Sequence, residues 1–302
     1  MSHLTEKLRQ VLGVEAVRLN EPMSRHTTFR VGGPADVFVE PGTAEELICV
    51  RRICAEENVP FYILGNGSNL LVSDEGFRGV VAAIGKAWSS VAVEGVHIRA
   101  GAGAMLSAVA KRAAGASLTG LEFAAGIPGT VGGAVVMNAG AYGGEMSQVL
   151  ATVTVLTPEG EVRRLPAGEL ELGYRTSCIL QRGYVVLEAE FTLESGDENA
   201  IRATIEEFAA RRREKQPLEY PSAGSTFKRP EGHFAGKLIE DAGLSGFTVG
   251  GAQVSEKHCG FIINRGDATA ADIMELCRNV QRRVREMSGV ELELEVKTLG
   301  NF

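Results

Sequence analysis

Gly126-Ile127-Pro128-Gly129-Thr130-Val131-Gly132-Gly133-Ala134, running on to Asn138-Ala139-Gly140-Ala141-Tyr142, decides how this sequence is read. The chain holds 37 glycines, and they are densest here. Ordering so many glycines costs backbone entropy, so a bare main chain needs a reason. Pro128 stiffens the turn, while Gly129, Gly132 and Gly133 remove side chains. A flat ring or a pyrophosphate lying against the main chain explains the whole series. Close packing of a helix on a sheet explains some of the glycines but not all.

A second segment, Leu64-Gly65-Asn66-Gly67-Ser68-Asn69-Leu70-Leu71, follows a short apolar strand over 61–64. Exposed N–H groups in such a turn form an anion-binding nest. A tight strand connection explains it equally well. It is neither a P-loop, since no Gly-Lys-Ser/Thr follows, nor the GxGxxG fingerprint that opens a long helix.

Outward from these segments, strands are expected at 36–40, 80–84, 90–94 and 96–100, and a helix over 105–116. Thr43-Ala44-Glu45-Glu46 predicts a capping box that opens a helix to about Asn58. Strands follow at 152–157, 161–165 and 183–193, then a long polar helix over 197–216 that Pro217 stops. Short strands are expected around Thr226, Ala252 and Phe261. A helix over 269–288 turns Ile273, Leu276, Val280, Val284 and Met287 inward, and a closing strand covers 292–298. The turn Glu194-Ser195-Gly196-Asp197 marks a boundary near Gly196, with mixed α+β structure on both sides.

The 302 residues suggest about two domains. With 44% hydrophobic and 23% charged residues the composition is globular. No apolar run is long enough to span a bilayer, and Met1–Gln10 lacks a signal-peptide core, so a cytoplasmic protein with no membrane partner is expected. Net charge is −7 without a basic stripe, which excludes the footprint of a nucleic-acid binder. The clusters Arg211-Arg212-Arg213 and Arg282-Arg283 read as solvated helix faces. Five cysteines make no CxxC pair and five histidines no metal-ligand spacing, so neither a disulfide framework nor a metal site is expected. Cys49 and Cys277 fall at apolar helix positions and read as buried thiols.

The two glycine-rich segments together resemble the FAD-binding domain of vanillyl-alcohol-oxidase-type flavoenzymes. More narrowly, the chain is similar to the UDP-N-acetylenolpyruvoylglucosamine reductases. Further motifs carry that narrower match: Thr27-Thr28-Phe29-Arg30-Val31-Gly32-Gly33, Gly173-Tyr174-Arg175-Thr176-Ser177, Gly224-Ser225-Thr226-Phe227-Lys228, Ala242-Gly243-Leu244 and Glu295-Val296-Lys297. Each is weak alone, and the ordered set is specific. The resemblance implies an α+β fold: a two-part FAD-binding region of the vanillyl-alcohol-oxidase (PCMH) type, then a smaller α+β substrate-binding domain. The corresponding boundaries are an N-terminal segment over 1–29 packing on the FAD domain, the FAD domain over 30–196 and the substrate domain over 197–302.

It also implies bound, non-covalent FAD, NADPH as reductant, and UDP-N-acetylglucosamine enolpyruvate reduced to UDP-N-acetylmuramate; with no interface signal in the sequence, a monomer is expected. That reduction is a step of peptidoglycan precursor synthesis, and so of cell-wall biogenesis, cell shape and division. Expected FAD contacts are Gly65, Asn66, Gly67, Ser68, Asn69, Leu70, Gly126, Ile127, Pro128, Gly129, Thr130, Gly132, Gly133, Ala134, Asn138 and Gly140.

Read alone, Arg175 is a surface or ion-pair residue; as a catalytic group it offers a planar cation suited to a carboxylate. The resemblance maps the family's catalytic arginine onto it. Ser225 reads as a turn residue with no GxSxG elbow, and the resemblance makes it a proton donor. Alternation puts Glu291, Glu293 and Glu295 on one solvated face, and the resemblance selects Glu295 to support the enol intermediate. Lys228, Arg229 and Lys237 are candidates for phosphates of the substrate or of the nicotinamide nucleotide, or are ordinary surface charge. Some relatives have asparagine where this chain has Arg229. The spacing from Arg175 to Ser225 fits the shorter family form, so no lid tyrosine is carried over. Two rival readings remain: a flavin oxidase passing electrons to oxygen, and a nucleotide-binding module without catalysis.

Overall fold

The computed structural model describes residues 2–302; Met1, where the polar N-terminal stretch begins, lies outside them. Packing divides the chain into two units. The first holds the residues up to Arg18, Val37–Asn66 and Val80–Arg212; the second holds Leu19–Asp36, Gly67–Gly79 and Arg213–Phe302. This differs from the single boundary expected at Gly196 and from an N-terminal segment ending at residue 29. The long helix explains much of the difference, since Phe208 stacks on the Tyr142 ring and holds that helix to the first unit.

In the first unit helix α1 (Ser2–Leu12) lies beside α2 (Ala44–Glu56). Lys7 bonds Glu57 at 2.6 Å, and Leu4 and Leu8 join the buried core. Thr43 caps α2 by accepting from Glu46 N–H at 3.2 Å, as expected. The Glu46 carboxylate reaches Gly42 N–H at 2.6 Å, one residue earlier than the predicted box.

The strand Phe61–Leu64 pairs in parallel with Phe77–Ala83, in a sheet that also takes Pro34–Val39 and Val17–Pro22. A five-stranded antiparallel sheet follows the order Val162–Pro166, Leu150–Leu156, Val185–Thr192, His97–Gly101, Val91–Glu94. Helices α3 (Leu106–Ala114), α4 (Val131–Val136) and α5 (Cys178–Gln181) complete the unit with most of α6 (Glu198–Lys215). The inward face expected for α3 is observed: Leu106, Val109, Ala110 and Ala113 are buried.

The second unit has its own core, with Phe29, Leu71, Ile262, Leu276 and Val280 buried together. Its antiparallel sheet has the order Ser222–Ser225, Phe261–Asn264, Ala252–Val254, Thr248–Val249. Helix α7 (Ala235–Asp241) and the long α8 (Ala270–Ser288) accompany it. Four of the five inward positions predicted for α8 are buried, but Met287 is 53% exposed in the last turn, where the helix outruns the core. The predicted closing strand is shorter than expected. Only Lys297–Leu299 is a strand, parallel to Leu70–Val72, because Glu291–Val296 pairs irregularly with 226–228 instead. Among the cysteines Cys277 is buried, whereas Cys49 is half-buried rather than enclosed.

The N-terminus of α8 is heavily capped. Asp74 accepts from Ala270 and Ala271 N–H at 2.8 Å each, and Thr269 accepts from Asp272 N–H at 3.0 Å. The Asp272 carboxylate accepts from Thr269 N–H at 2.9 Å and Gly251 N–H at 3.3 Å. Those donors, the Thr269 N–H first, hold its carboxyl below the ordinary 3.8. A depressed folded pKa stabilises the fold above the unfolded value and loses that contribution as pH falls through the folded one. Asp272→Asn should therefore cost about 0.3–1 kcal/mol at neutral pH. In thermal melts the gap to wild type should close as the pH is lowered below 3.8; a gap that stays constant would refute the carboxylate's role.

Candidate active site

In the first unit Arg175 sits in a two-residue hairpin, closed by Gly173 N–H to Thr176 O at 3.1 Å and Thr176 N–H to Gly173 O at 3.3 Å. Arg175 has φ +55°, the left-handed region that non-glycine residues avoid. Its Nη2 donates to Gly140 O at 3.1 Å, and its guanidinium lies 5.0 Å from the Tyr174 ring centroid.

Asn138 is 1% exposed and fully engaged. Its Nδ2 donates to Gly173 O at 3.1 Å and to Glu145 at 3.2 Å, and its Oδ1 accepts from Ser147 N–H at 2.9 Å. Ser177 Oγ adds a bond to Val136 O at 2.8 Å. Buried and spent, the Asn138 side chain fixes the arginine hairpin to the glycine-rich segment, which leaves the main chain of this position for the expected cofactor contact.

Several glycines serve chain-to-chain approach. A Cβ on Gly65 would stand 2.6 Å from Thr130 Oγ1, and one on Gly132 would stand 3.1 Å from Ala102 Cβ. Asn66 Nδ2 ties the first glycine segment to the second through Pro128 O at 2.6 Å. Gly133 is different: a Cβ there meets only Thr130 Oγ1, at 3.7 Å, so that face of the loop is open. Packing therefore explains more of the series than the sequence suggested, and the open face remains for a ligand. The side chains of Thr130 and Ala134 are buried, as is that of Leu70 in the second unit. Only the main chain of these three positions is available for contact.

In the second unit Gly67 is held at φ +60° with its Cα packed on His26; a Cβ would stand 1.9 Å from His26 O. The N–H groups of Gly67 and Ser68 donate to no acceptor among the described residues. Thr28, whose N–H donates to Gly67 O at 3.2 Å, has a buried Oγ1 without a partner. Unspent donors beside an orphaned hydroxyl fit an oxygen-rich ligand such as a cofactor phosphate. Asn69 is turned to another use, its Nδ2 donating to Glu295 O at 3.1 Å.

The structure brings Ser225 and Glu295 together on paired segments of this unit. Phe227 bridges Leu294, Glu295 N–H donates to Thr226 O at 2.9 Å, and Lys228 N–H donates to Glu293 O at 2.8 Å. Thr226 is buried and pinned, its Oγ1 accepting from Ile262 N–H at 3.1 Å. Ser225 is therefore presented outward, exposed, with a hydroxyl that makes no hydrogen bond among the described residues.

Burial separates the three glutamates that alternation placed on one face. Glu291 and Glu293 are exposed and pair with Arg285 and Lys228, while Glu295 is half-buried. Close by, His258 Nδ1 accepts from Gly260 N–H at 3.1 Å, which leaves the proton on Nε2. Burial lowers the His258 pKa, and its ring meets Phe261, the register partner of Ser225, edge-on at 4.9 Å.

The basic candidates are each engaged. Lys228 pairs with Glu293 at 2.8 Å, and Lys237 pairs with Asp241 at 2.7 Å and Glu240 at 3.4 Å. The Arg229 guanidinium lies 3.9 Å from the centroid of the exposed Phe234 ring. Arg175 lies in the first unit; Ser225, Glu295 and these three lie in the second.

For Arg212 the expected solvated helix face is corrected, since this residue is half-buried. Arg211 pairs with Glu207 on the solvent side of α6, but Arg212 turns inward against Gly126. The only sequence signal was its i, i+4 spacing from Phe208, which the run of three arginines hides.

An open glycine loop in the first unit, and unspent N–H donors beside an orphaned hydroxyl in the second, are those of a protein that binds a nucleotide-type cofactor. Residues 35–166 match the FAD binding domain family, and residues 216–299 match the C-terminal domain of UDP-N-acetylenolpyruvoylglucosamine reductase. The UDP-N-acetylenolpyruvoylglucosamine reductase of Agathobacter rectalis is 53% identical over 99% of this chain and 98% of its own. That of Lachnoclostridium phytofermentans is also 53% identical, over 98% and 97%. The crystal structure of the reductase from Thermus caldophilus superposes with a TM-score of 0.81 at 38% identity, covering 94% of this chain and 98% of the other. The chain belongs to the UDP-N-acetylenolpyruvoylglucosamine reductase family.

Proposed function

We propose that this chain reduces UDP-N-acetylglucosamine enolpyruvate to UDP-N-acetylmuramate with NADPH, through bound FAD. The observation that carries the reading is near-complete coverage of the reductases at 53% identity, which embraces both units. It sets aside the oxidase and the non-catalytic module. FAD held along the glycine-rich segments would supply the hydride-transfer chemistry that links NADPH to the terminal enolpyruvyl carbon.

The residues of the chain do the rest. Arg175 holds the substrate carboxylate in its planar fork and stabilises the enolate that forms when hydride arrives. Ser225 Oγ–H gives its proton to the carbon bearing the carboxylate, which completes reduction of the double bond. Glu295, opposite Thr226 in the irregular ladder, supports the enol and relays a proton back to the serine. Lys228 and Arg229, just beyond Ser225, are suited to the diphosphate. Lys237 would have to give up two carboxylates of its own helix to join them.

The reading places the protein in the cytoplasm as a monomer, with no nucleic-acid or membrane partner. Five free thiols suit a reducing compartment, and among the described residues no helix is long and apolar enough to cross a membrane. The deciding experiment follows NADPH oxidation by the FAD-loaded protein with and without the enolpyruvyl sugar nucleotide. Oxidation should depend on the sugar nucleotide and yield one UDP-N-acetylmuramate per NADPH. Equal oxidation without it, consuming oxygen, would overturn the reading.

A further inference from the structure

α6 carries three consecutive arginines, and one of them has no visible business inside the protein. The Arg212 guanidinium rests on the main chain of Gly126, the first glycine of the bare loop. A Cβ there would stand 2.9 Å from Nη1 and 3.3 Å from Cδ. Burial lowers the Arg212 pKa, with Tyr142 acting in the opposite direction. Among the described residues no carboxylate pairs with this group and no oxygen accepts a hydrogen bond from it. A guanidinium brings five N–H donors. Arg212 is half-buried, and partly withdrawing such a cation from water without pairing it opposes folding.

The side chain is nevertheless held in place. One turn earlier on the same helix face, Phe208 stacks on Tyr142 with ring centroids 4.5 Å apart and planes 12° apart. Tyr142 has φ +53°, and the glycine-rich segment that carries it runs on from Gly126. Phe208 and Arg212 thus form one edge of α6 laid along that segment, with the cation at the bare end. A cation fixed by packing rather than by an internal partner is preorganised for an anion from outside the chain.

We propose that Arg212 is a cofactor-contacting residue whose guanidinium donates hydrogen bonds to an oxygen of FAD bound along the Gly126 loop. The inference rests on the reading that the chain binds FAD. The shared chemistry is an electron-rich oxygen, found in FAD both on the pyrimidine edge of the flavin ring and in the pyrophosphate. At the ring edge Arg212 would stabilise the reduced flavin, whose negative charge gathers there. At the pyrophosphate it would anchor the cofactor and leave its redox balance alone.

The test uses the full chain stripped of FAD and reconstituted, as wild type, Arg212→Met and Arg212→Lys. The readouts are FAD affinity by flavin fluorescence, the midpoint potential of the bound flavin, and melting of the apoprotein. Arg212→Met should bind FAD at least about tenfold more weakly, with Arg212→Lys between it and wild type. A potential that also shifts to more negative values assigns the ring edge; weaker binding at an unchanged potential assigns the pyrophosphate. The apoprotein of Arg212→Met should melt no lower than wild type, because it loses a half-buried charge that no group of the chain pairs.

Wild-type affinity and potential in the methionine variant would overturn the inference, as would an apoprotein that melts lower without any loss of affinity. Should Arg212→Met fail to fold, Arg212→Lys keeps the charge and decides by affinity and potential alone: unchanged values refute the contact. A wild-type chain that bound no FAD would instead sink the reading beneath it.

Discussion

Ser225→Ala should slow turnover of the enolpyruvyl substrate by about 10²–10⁴-fold, the range lost with a general acid, while NADPH reduces the bound flavin at the wild-type rate. The structure makes this a clean substitution. The Ser225 side chain is exposed and its hydroxyl has no hydrogen bond among the described residues, so its removal leaves no orphaned partner. The backbone at this point is fixed by neighbours instead, through Thr226 N–H to Gly260 O at 2.9 Å and Thr226 O from Glu295 N–H at 2.9 Å. Stability should therefore change by less than about 0.5 kcal/mol. Rapid mixing separates the two half-reactions: flavin bleaching by NADPH alone, then its return when the sugar nucleotide is added. Slow return with normal bleaching is the result required. If return stays within a few-fold of wild type, the proton comes from another group. If both halves slow together, the residue shapes the site and does not donate.

That prediction also marks how far the sequence could be read. Elements with strong periodicity are found where expected, because α8 needs one apolar face and the strands around 150–192 need burial on alternate residues. The irregular parts were not legible. Glu291–Val296 alternates like a strand, yet it forms only scattered bonds to 226–228, and that pairing partner lies more than sixty residues away in the chain. Alternation gave all three glutamates one face; only tertiary packing half-buries Glu295 and leaves Glu293 to Lys228. The glycines were legible as a series but not in their uses, since the atom that a Cβ would strike belongs to a distant residue such as Thr130 or His26. Arg212 was lost for a related reason: a run of arginines on a polar helix says nothing about which one turns inward.

Arg175 is the residue for which charge alone is not enough. Its fork is aimed by two devices of different kinds. The hairpin closed by Gly173 and Thr176 holds Arg175 at φ +55°, and Nη2 is tethered to Gly140 O at 3.1 Å. Backbone strain at a single position persists only where surrounding bonds over-determine it. Here Asn138 and Ser177 supply them from below. A guanidinium so placed can grip both oxygens of a carboxylate, which an ammonium on a flexible stem cannot do. Arg175→Met should lower kcat by about 10²–10³-fold, the range seen when one oxyanion donor is removed. Arg175→Lys should recover only part of that loss, and flavin reduction by NADPH should be unaffected in both. Arg175→Gly gives an independent check on the backbone. Glycine adopts the left-handed region freely, so this variant should lose activity like the methionine one while melting close to wild type. Gly140, whose carbonyl it frees, is a half-exposed residue, so water can replace the lost donor. A lysine variant with wild-type kcat would show that the fork geometry does not matter. A glycine variant that unfolded would show that the Arg175 side chain holds the hairpin, and that it is not the hairpin that aims the side chain.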